Sequence, residues 1–234
     1  MDLGSQATGV AALADPTRRA LYEYVVRRRA AVGREEAATA LDLAPHTANF
    51  HLDKLVDAGL LATEYRRLSG RSGPGAGRPS KLYRRADRQW SVSLPDRRYD
   101  LVGDLLARGI EEAERRGGSV SRALDHAAAD RGREIGSAEA PGDQAGDQAA
   151  DLATVAEALA GQGYEPLVDP AVDADTVLLA NCPFDALAHA HTELVCGLNR
   201  SFVQGVVDGV GCAGATAHLE PEPGQCCVKV RRAG

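Results

Sequence analysis

Between residues 15 and 85 the chain carries one ordered set of start and stop signals, and few arrangements accommodate it. Asp15-Pro16-Thr17 places an acceptor side chain before a proline at a first helical position, which predicts a helix start within a segment read as helical from 10 to 29. Ala20, Leu21, Tyr24 and Val25 recur at helical spacing, and Arg27-Arg28-Arg29 close the last turn, where the helix dipole favours cations. A short second helix is expected over 34–41, with Ala37, Ala38 and Leu41 on its apolar side, and Leu41-Asp42-Leu43 as the turn. A third is expected over 45–58, burying Phe50, Leu52, Leu55 and Val56 and stopping at Gly59. Two strand candidates follow, 60–68 and 81–85, joined by the basic, glycine-rich stretch 69–80.

Three helices followed by a basic hairpin form the order of a winged helix-turn-helix. The third helix carries His46, Thr47, Asn49, His51, Asp53 and Lys54 off its apolar side, the donor and acceptor types that base edges in a major groove require. Phosphate contacts are available from Arg27, Arg28, Arg66, Arg67, Arg71, Arg78, Lys81, Arg84 and Arg85, and Arg78 beside Pro79 suits a narrow minor groove. His46, Thr47, Asn49, His51, Lys54, Arg71, Arg78 and Lys81 are therefore the expected DNA-binding set, with double-stranded operator DNA as the partner.

Charge supports this division. The 234 residues have a net charge of −6, which by itself speaks against a nucleic-acid binder. Residues 1–90, however, hold 15 Lys/Arg against 10 Asp/Glu, and residues 91–234 hold 12 against 23. The halves are thus +5 and −11, and the basic one coincides with the helix-hairpin pattern. The reading is α+β: a winged domain over 1–90, connecting helices over 91–137, a linker or loop over 138–150 containing Gly-Asp-Gln-Ala twice, and a small α+β sensor domain over 151–234. The helix expected over 99–116 has a Leu/Val/Ile stripe suited either to a dimer contact or to packing within one chain. In the last domain a helix over 152–159 precedes strands near 165–168 and 176–180, helices near 184–195 and 198–210, and strands at 216–219 and 227–230. No apolar run reaches membrane-span length and the N-terminus lacks signal-peptide features, so a cytoplasmic protein without a membrane partner is expected.

All five cysteines, Cys182, Cys196, Cys212, Cys226 and Cys227, lie in the last 53 residues. In a reducing compartment such clustering points to metal or redox chemistry, although free cysteines also serve as small core residues. Their wide spacing is not that of zinc ribbons or dithiol oxidoreductases. Soft thiolates at three junctions of secondary structure would select zinc or iron–sulfur. Cys212, in a glycine-rich stretch, reads as a core residue. Strand alternation at Cys226-Cys227 would turn one of the two toward a pocket, with Cys226 slightly preferred. Helical spacing places His191 beside Leu187 and Val195, partly buried. Signatures of hydrolases, zinc proteases and phosphate-binding loops are missing, so no enzyme and no small-molecule substrate are expected.

Ala14-Asp15-Pro16-Thr17-Arg18, Ala48-Asn49-Phe50-His51-Leu52-Asp53-Lys54-Leu55, Gly59-Leu60-Leu61 and Gly77-Arg78-Pro79-Ser80-Lys81-Leu82-Tyr83 resemble winged-helix repressors of the ArsR-like group. With Cys182-Pro183-Phe184, His191…Cys196 and Cys226-Cys227 behind them, the chain is similar to the iron–sulfur repressors of the suf operon. That resemblance implies a homodimer on a palindromic operator. It also implies cluster ligation (4Fe-4S favoured over 2Fe-2S) by Cys182, Cys196 and Cys226 or Cys227. One iron is left to Asp185, His189, His191 or the second member of the Cys-Cys pair. A zinc- or thiol-redox-sensing regulator using the same cysteines is the alternative.

Overall fold

The structure, a computed structural model, describes residues 3–67, 79–140, 151–169 and 173–232. The chain divides into two compact units, 1–92 and 93–234. The architecture is mixed α+β, with an N-terminal helix-turn-helix domain and a small C-terminal sheet.

The first unit begins with two helices, α1 (Leu3–Ala12) and α2 (Pro16–Arg28), where the sequence suggests one over 10–29. The break follows from local chemistry. Pro16 has no N–H to extend α1, and the Asp15 carboxylate accepts from the Arg18 amide at 2.8 Å, which caps α2 afresh. A two-residue strand not anticipated from sequence, β1 (Val32–Gly33), leads to α3 (Arg34–Ala40) and α4 (Pro45–Asp57). The hairpin strands β2 (Leu61–Arg66) and β3 (Ser80–Arg85) then complete an antiparallel sheet in the order β1-β3-β2. Leu21, Val25, Ala37, Ala48, Leu52, Leu55 and Tyr83 make the core. Phe50, expected in that core, is 57% exposed.

In the second unit, α5 (Tyr99–Arg116) and α6 (Val120–Glu139) pack with the later elements rather than forming a separate segment. Leu101, Val102 and Leu105 of α5 are buried in this unit's core, so most of the apolar stripe is used within the chain, while Ile110 stays exposed. Repeat residues 142–149, expected in the linker or loop, lie outside the described residues. Next come α7 (Leu152–Ala160), β4 (Pro166–Asp169), β5 (Asp173–Leu179), α8 (Asp185–Ala190), α9 (Thr192–Val210), β6 (Ala215–Leu219) and β7 (Val228–Arg232). The four strands form an antiparallel sheet in the order β4-β5-β7-β6. Phe202, Val203, Val206 and Val207 of α9 are buried in the same core as Val177, Val228 and Val230 of the sheet.

The contact of α6 with α9 is made by backbone. Gly132 and Gly136 of α6 meet Gly205 and Gly209 of α9, and each pair is spaced i, i+4 on one helix face. A Cβ at Gly132 would overlap the Phe202 carbonyl oxygen, and one at Gly205 would overlap that of Ala129. The helices can therefore approach only where no side chain intervenes.

The break between α8 and α9 falls at His191, not near 196–197 as the sequence suggests. Gly197 sits within α9 with no atom near its would-be side chain, showing that an isolated glycine does not end a helix held by tertiary packing. His191, expected to be partly buried, is exposed at this break. Among the described residues, no helix is long and apolar enough to cross a membrane.

Candidate nucleic-acid interface and thiol site

Ala48, Leu52 and Leu55 turn one side of α4 into the core of the first unit. With about 100° per residue, the opposite side presents His46, Phe50 and Lys54, spaced four residues apart, and all three are exposed. Lys54 lies 3.6 Å from Asp57, an exposed pair that other anions can displace at small cost. Thr47, Asn49 and His51 sit on the flanks, half-buried.

Asn49 and Lys81, expected at the DNA, are joined by a network between α4 and the wing. Lys81 Nζ lies 2.6 Å from Asp53 Oδ1, and the Tyr83 hydroxyl donates to the same oxygen at 2.8 Å. Asn49 Nδ2 donates to Asp53 Oδ2 at 3.2 Å, and its Oδ1 accepts from Tyr83 at 3.3 Å. Burial opposes ionisation of Asp53, but the Lys81 ammonium and the Tyr83 and Asn49 donors outweigh it and hold its carboxyl below the usual value. Burial, then the bond to Asp53, pushes the Tyr83 hydroxyl up to about 12. Asp53 and Tyr83 have no role in the sequence-based DNA set; the only hint of this clasp was a carboxylate among the polar residues of α4.

A depressed folded-state pKa gives stability present above the unfolded carboxyl value of about 4 and lost as pH falls through the lower folded value. Asp53→Asn should therefore cost about 1 kcal/mol at pH 7, a modest figure because the pair is partly solvated. Urea denaturation at pH 7 and pH 3 tests this: the gap between variant and wild type should shrink at pH 3.

A groove of about 690 Å3 runs along this clasp, lined among others by Asn49, Tyr65, Lys81 and Tyr83. A second, of about 820 Å3, gathers Arg27, Arg29, Arg66, Arg84 and Arg85. Arg28 instead pairs with Glu36 at 2.8 Å, and Arg84 with Asp87 at 3.0 Å. Arg71 and Arg78 lie outside the described residues.

In the second unit four thiols come together. The Cys182 thiol interacts with that of Cys226, Cys226 with Cys227, and Cys227 with Cys196. Cys182 follows β5, Cys196 lies near the start of α9, and Cys226-Cys227 occupy the bend before β7. Because the pair sits on a bend and not on a strand, alternation does not separate them, and both take part. Cys212 stands apart, where its sulfur accepts from Arg232 at 3.1 Å.

Side chains that sequence reading missed hold the group. Asn199, 1% exposed, donates from Nδ2 to Cys226 Sγ at 3.2 Å, while its Oδ1 accepts from the Tyr164 hydroxyl at 2.5 Å. Asn181 donates to the carbonyls of Gly163 (2.6 Å) and Asp96 (3.0 Å), and Arg97 donates to the Cys182 carbonyl (3.1 Å). These bonds fix the backbone on which Cys182 stands. Asp185 lies 3.7 Å from Arg97, and the exposed His189 lies 3.5 Å from Asp185.

The contact with Cys226, then burial, pushes the Cys182 thiol well up. Cys196 is raised by burial. For Cys226 the neighbouring Cys182 acts downward, but contact with Cys227 and burial outweigh it and leave the thiol at about 11. In donor type the four thiols suit a thiophilic metal or cluster. Yet among the described residues no three His, Cys, Asp or Glu side chains are arranged to hold a metal ion.

Residues 13–64 match a family described as a helix-turn-helix domain. The match covers α2, α3, α4 and the start of β2. It supports a DNA-binding transcription regulator, and the β2–β3 hairpin adds the wing. No curated protein and no solved structure matches the chain.

Proposed function

We propose that this regulator is a homodimeric repressor that holds an iron–sulfur cluster on Cys182, Cys196 and the Cys226-Cys227 pair, and controls cluster-assembly genes of the suf type. The observation that carries the reading is the gathering of four thiols from three separate segments, with the fifth cysteine left out. A bound cluster would supply a tie that fails when iron is scarce or oxidants attack.

The rest is the work of the chain. Cys182 is anchored through Asn181 and Arg97, Cys196 by α9, and Cys226 by Asn199. Thiols bound to a common group would lock these segments to one another, and release would free them. In a homodimer the two recognition helices must match the half-site spacing, so an ordered second unit favours the DNA-competent form. A ~100-fold change in operator occupancy needs about 2.7 kcal/mol of coupling, modest for several metal–sulfur bonds.

The test is an anaerobic absorption spectrum of freshly purified protein, followed by gel shifts of loaded and stripped protein on the DNA upstream of its own gene. Broad absorption in the visible and tighter binding by the loaded form are expected. A colourless, zinc-loaded protein that binds equally well would replace this reading with zinc sensing at the same thiols.

A further inference from the structure

We infer that Phe50 is a specificity-determining residue that reads the C5 methyl group of one thymine in each operator half-site. The inference rests on DNA binding by α4 and is independent of what the thiols hold.

Single exposed apolar side chains are common on protein surfaces and need no explanation. The place of this one is unusual. Phe50 lies about 200° round the helix from Ala48, close to opposite the buried side, and it is 57% exposed. The described residues of the first unit leave more than half of the Phe50 surface uncovered. Its neighbours one turn away are His46 and Lys54, so an apolar ring stands between two polar groups on the outward row.

Phe50 also has neighbours along α4. Its ring meets that of His51 edge-on, with centroids 5.2 Å apart, and Lys54 Nζ lies 6.0 Å from the ring centroid. It sits in the N-terminal half of α4, the part of a recognition helix that enters the major groove. A ring pressed against base edges there meets nitrogen and oxygen donors and acceptors at every position but one. The single apolar group on the floor of the major groove is the thymine methyl. Phe50 would strip water from polar edges without compensation at any other base, so it selects thymine by attraction and rejects the rest by desolvation.

Asn49 sits beside it with both ends of its amide engaged by Asp53 and Tyr83. A residue that looks apolar in the sequence is thus free to face the base pairs, while the neighbouring amide is committed to the wing.

The experiment starts with selection of a tight-binding duplex from a randomised pool by the full-length protein. Each thymine of that duplex is then replaced in turn by deoxyuridine, which removes the methyl and leaves base pairing intact. Wild type should lose about 3- to 10-fold in affinity at one position of each half-site. Phe50→Ala should bind the thymine and uracil duplexes equally, Phe50→Leu should keep part of the preference, and the salt dependence of all three should coincide. The exposed position lets the variants fold, which their melting curves verify. Wild-type binding that tolerates uracil everywhere overturns the inference and leaves DNA binding standing. A Phe50→Ala protein that keeps full methyl preference also overturns it. If wild type selects no duplex at all, DNA binding itself fails and the inference falls with it.

Discussion

Gly205→Ala should lower the stability of the protein by about 3 kcal/mol or more, whereas Gly103→Ala should leave it unchanged or raise it by up to about 1 kcal/mol. The substitution is the same and both glycines are helical, so helix propensity predicts a gain at each. Tertiary context reverses it at one. A methyl at Gly205 would overlap the Ala129 carbonyl of α6, and backbone cannot turn aside as a side chain can. At Gly103 there is nothing within 4 Å. Thermal or urea unfolding of the two variants reads the difference directly. Equal stability of both would mean that α6 and α9 do not touch through their backbones. Gly132→Ala belongs with Gly205→Ala, since its methyl meets the Phe202 carbonyl.

Cys182→Ser and Cys226→Ser should each cut iron bound after reconstitution by about tenfold or more, and operator binding should fall with it. Cys212→Ser should change neither. Serine keeps the size of the side chain but replaces a soft sulfur donor by a hard oxygen that stays protonated at neutral pH. Each ligand lost also frees one of the segments that the site would tie together. Cys227→Ser discriminates further, because both members of the pair join the thiol group in the structure. Loss of iron there makes the donor set four cysteines; retention returns the fourth position to another side chain such as Asp185. Melting curves guard against a trivial result, since Cys226 is buried and bonded to Asn199. A folded Cys182→Ser protein with full iron and full DNA binding would remove the thiols from the proposed function.

The helices and the wing were legible because their signals are local. Pro16 and Pro45 sit at helix starts, Gly59 adopts a positive φ after α4, and apolar residues recur at helical spacing. Where reading failed, the deciding contact was distant in sequence. Phe50 falls near enough to the apolar residues of α4 to be counted with them, yet the packing of α2, α3 and the sheet covers only the Ala48–Leu52–Leu55 side. His191 matched an apolar face, but the chain bends there and leaves it in solvent. Asn199 gave no signal, because an asparagine in an apolar helix acquires meaning only when Tyr164 and Cys226 arrive from other elements.

By itself the sequence determined the class of the first unit and the acidic character of the remainder. Both follow from residues close together along the chain, whose capping, spacing and charge act before any tertiary contact forms. Only the tertiary structure decided which side of α4 faces outward, that Asn49 is bound to the wing, and that Cys226 and Cys227 stand together beside Cys182 and Cys196. Those results depend on contacts between elements well apart in the chain, as with Lys81 and Asp53, 28 positions apart. No local propensity encodes them, because each is settled by which surfaces the completed cores leave open.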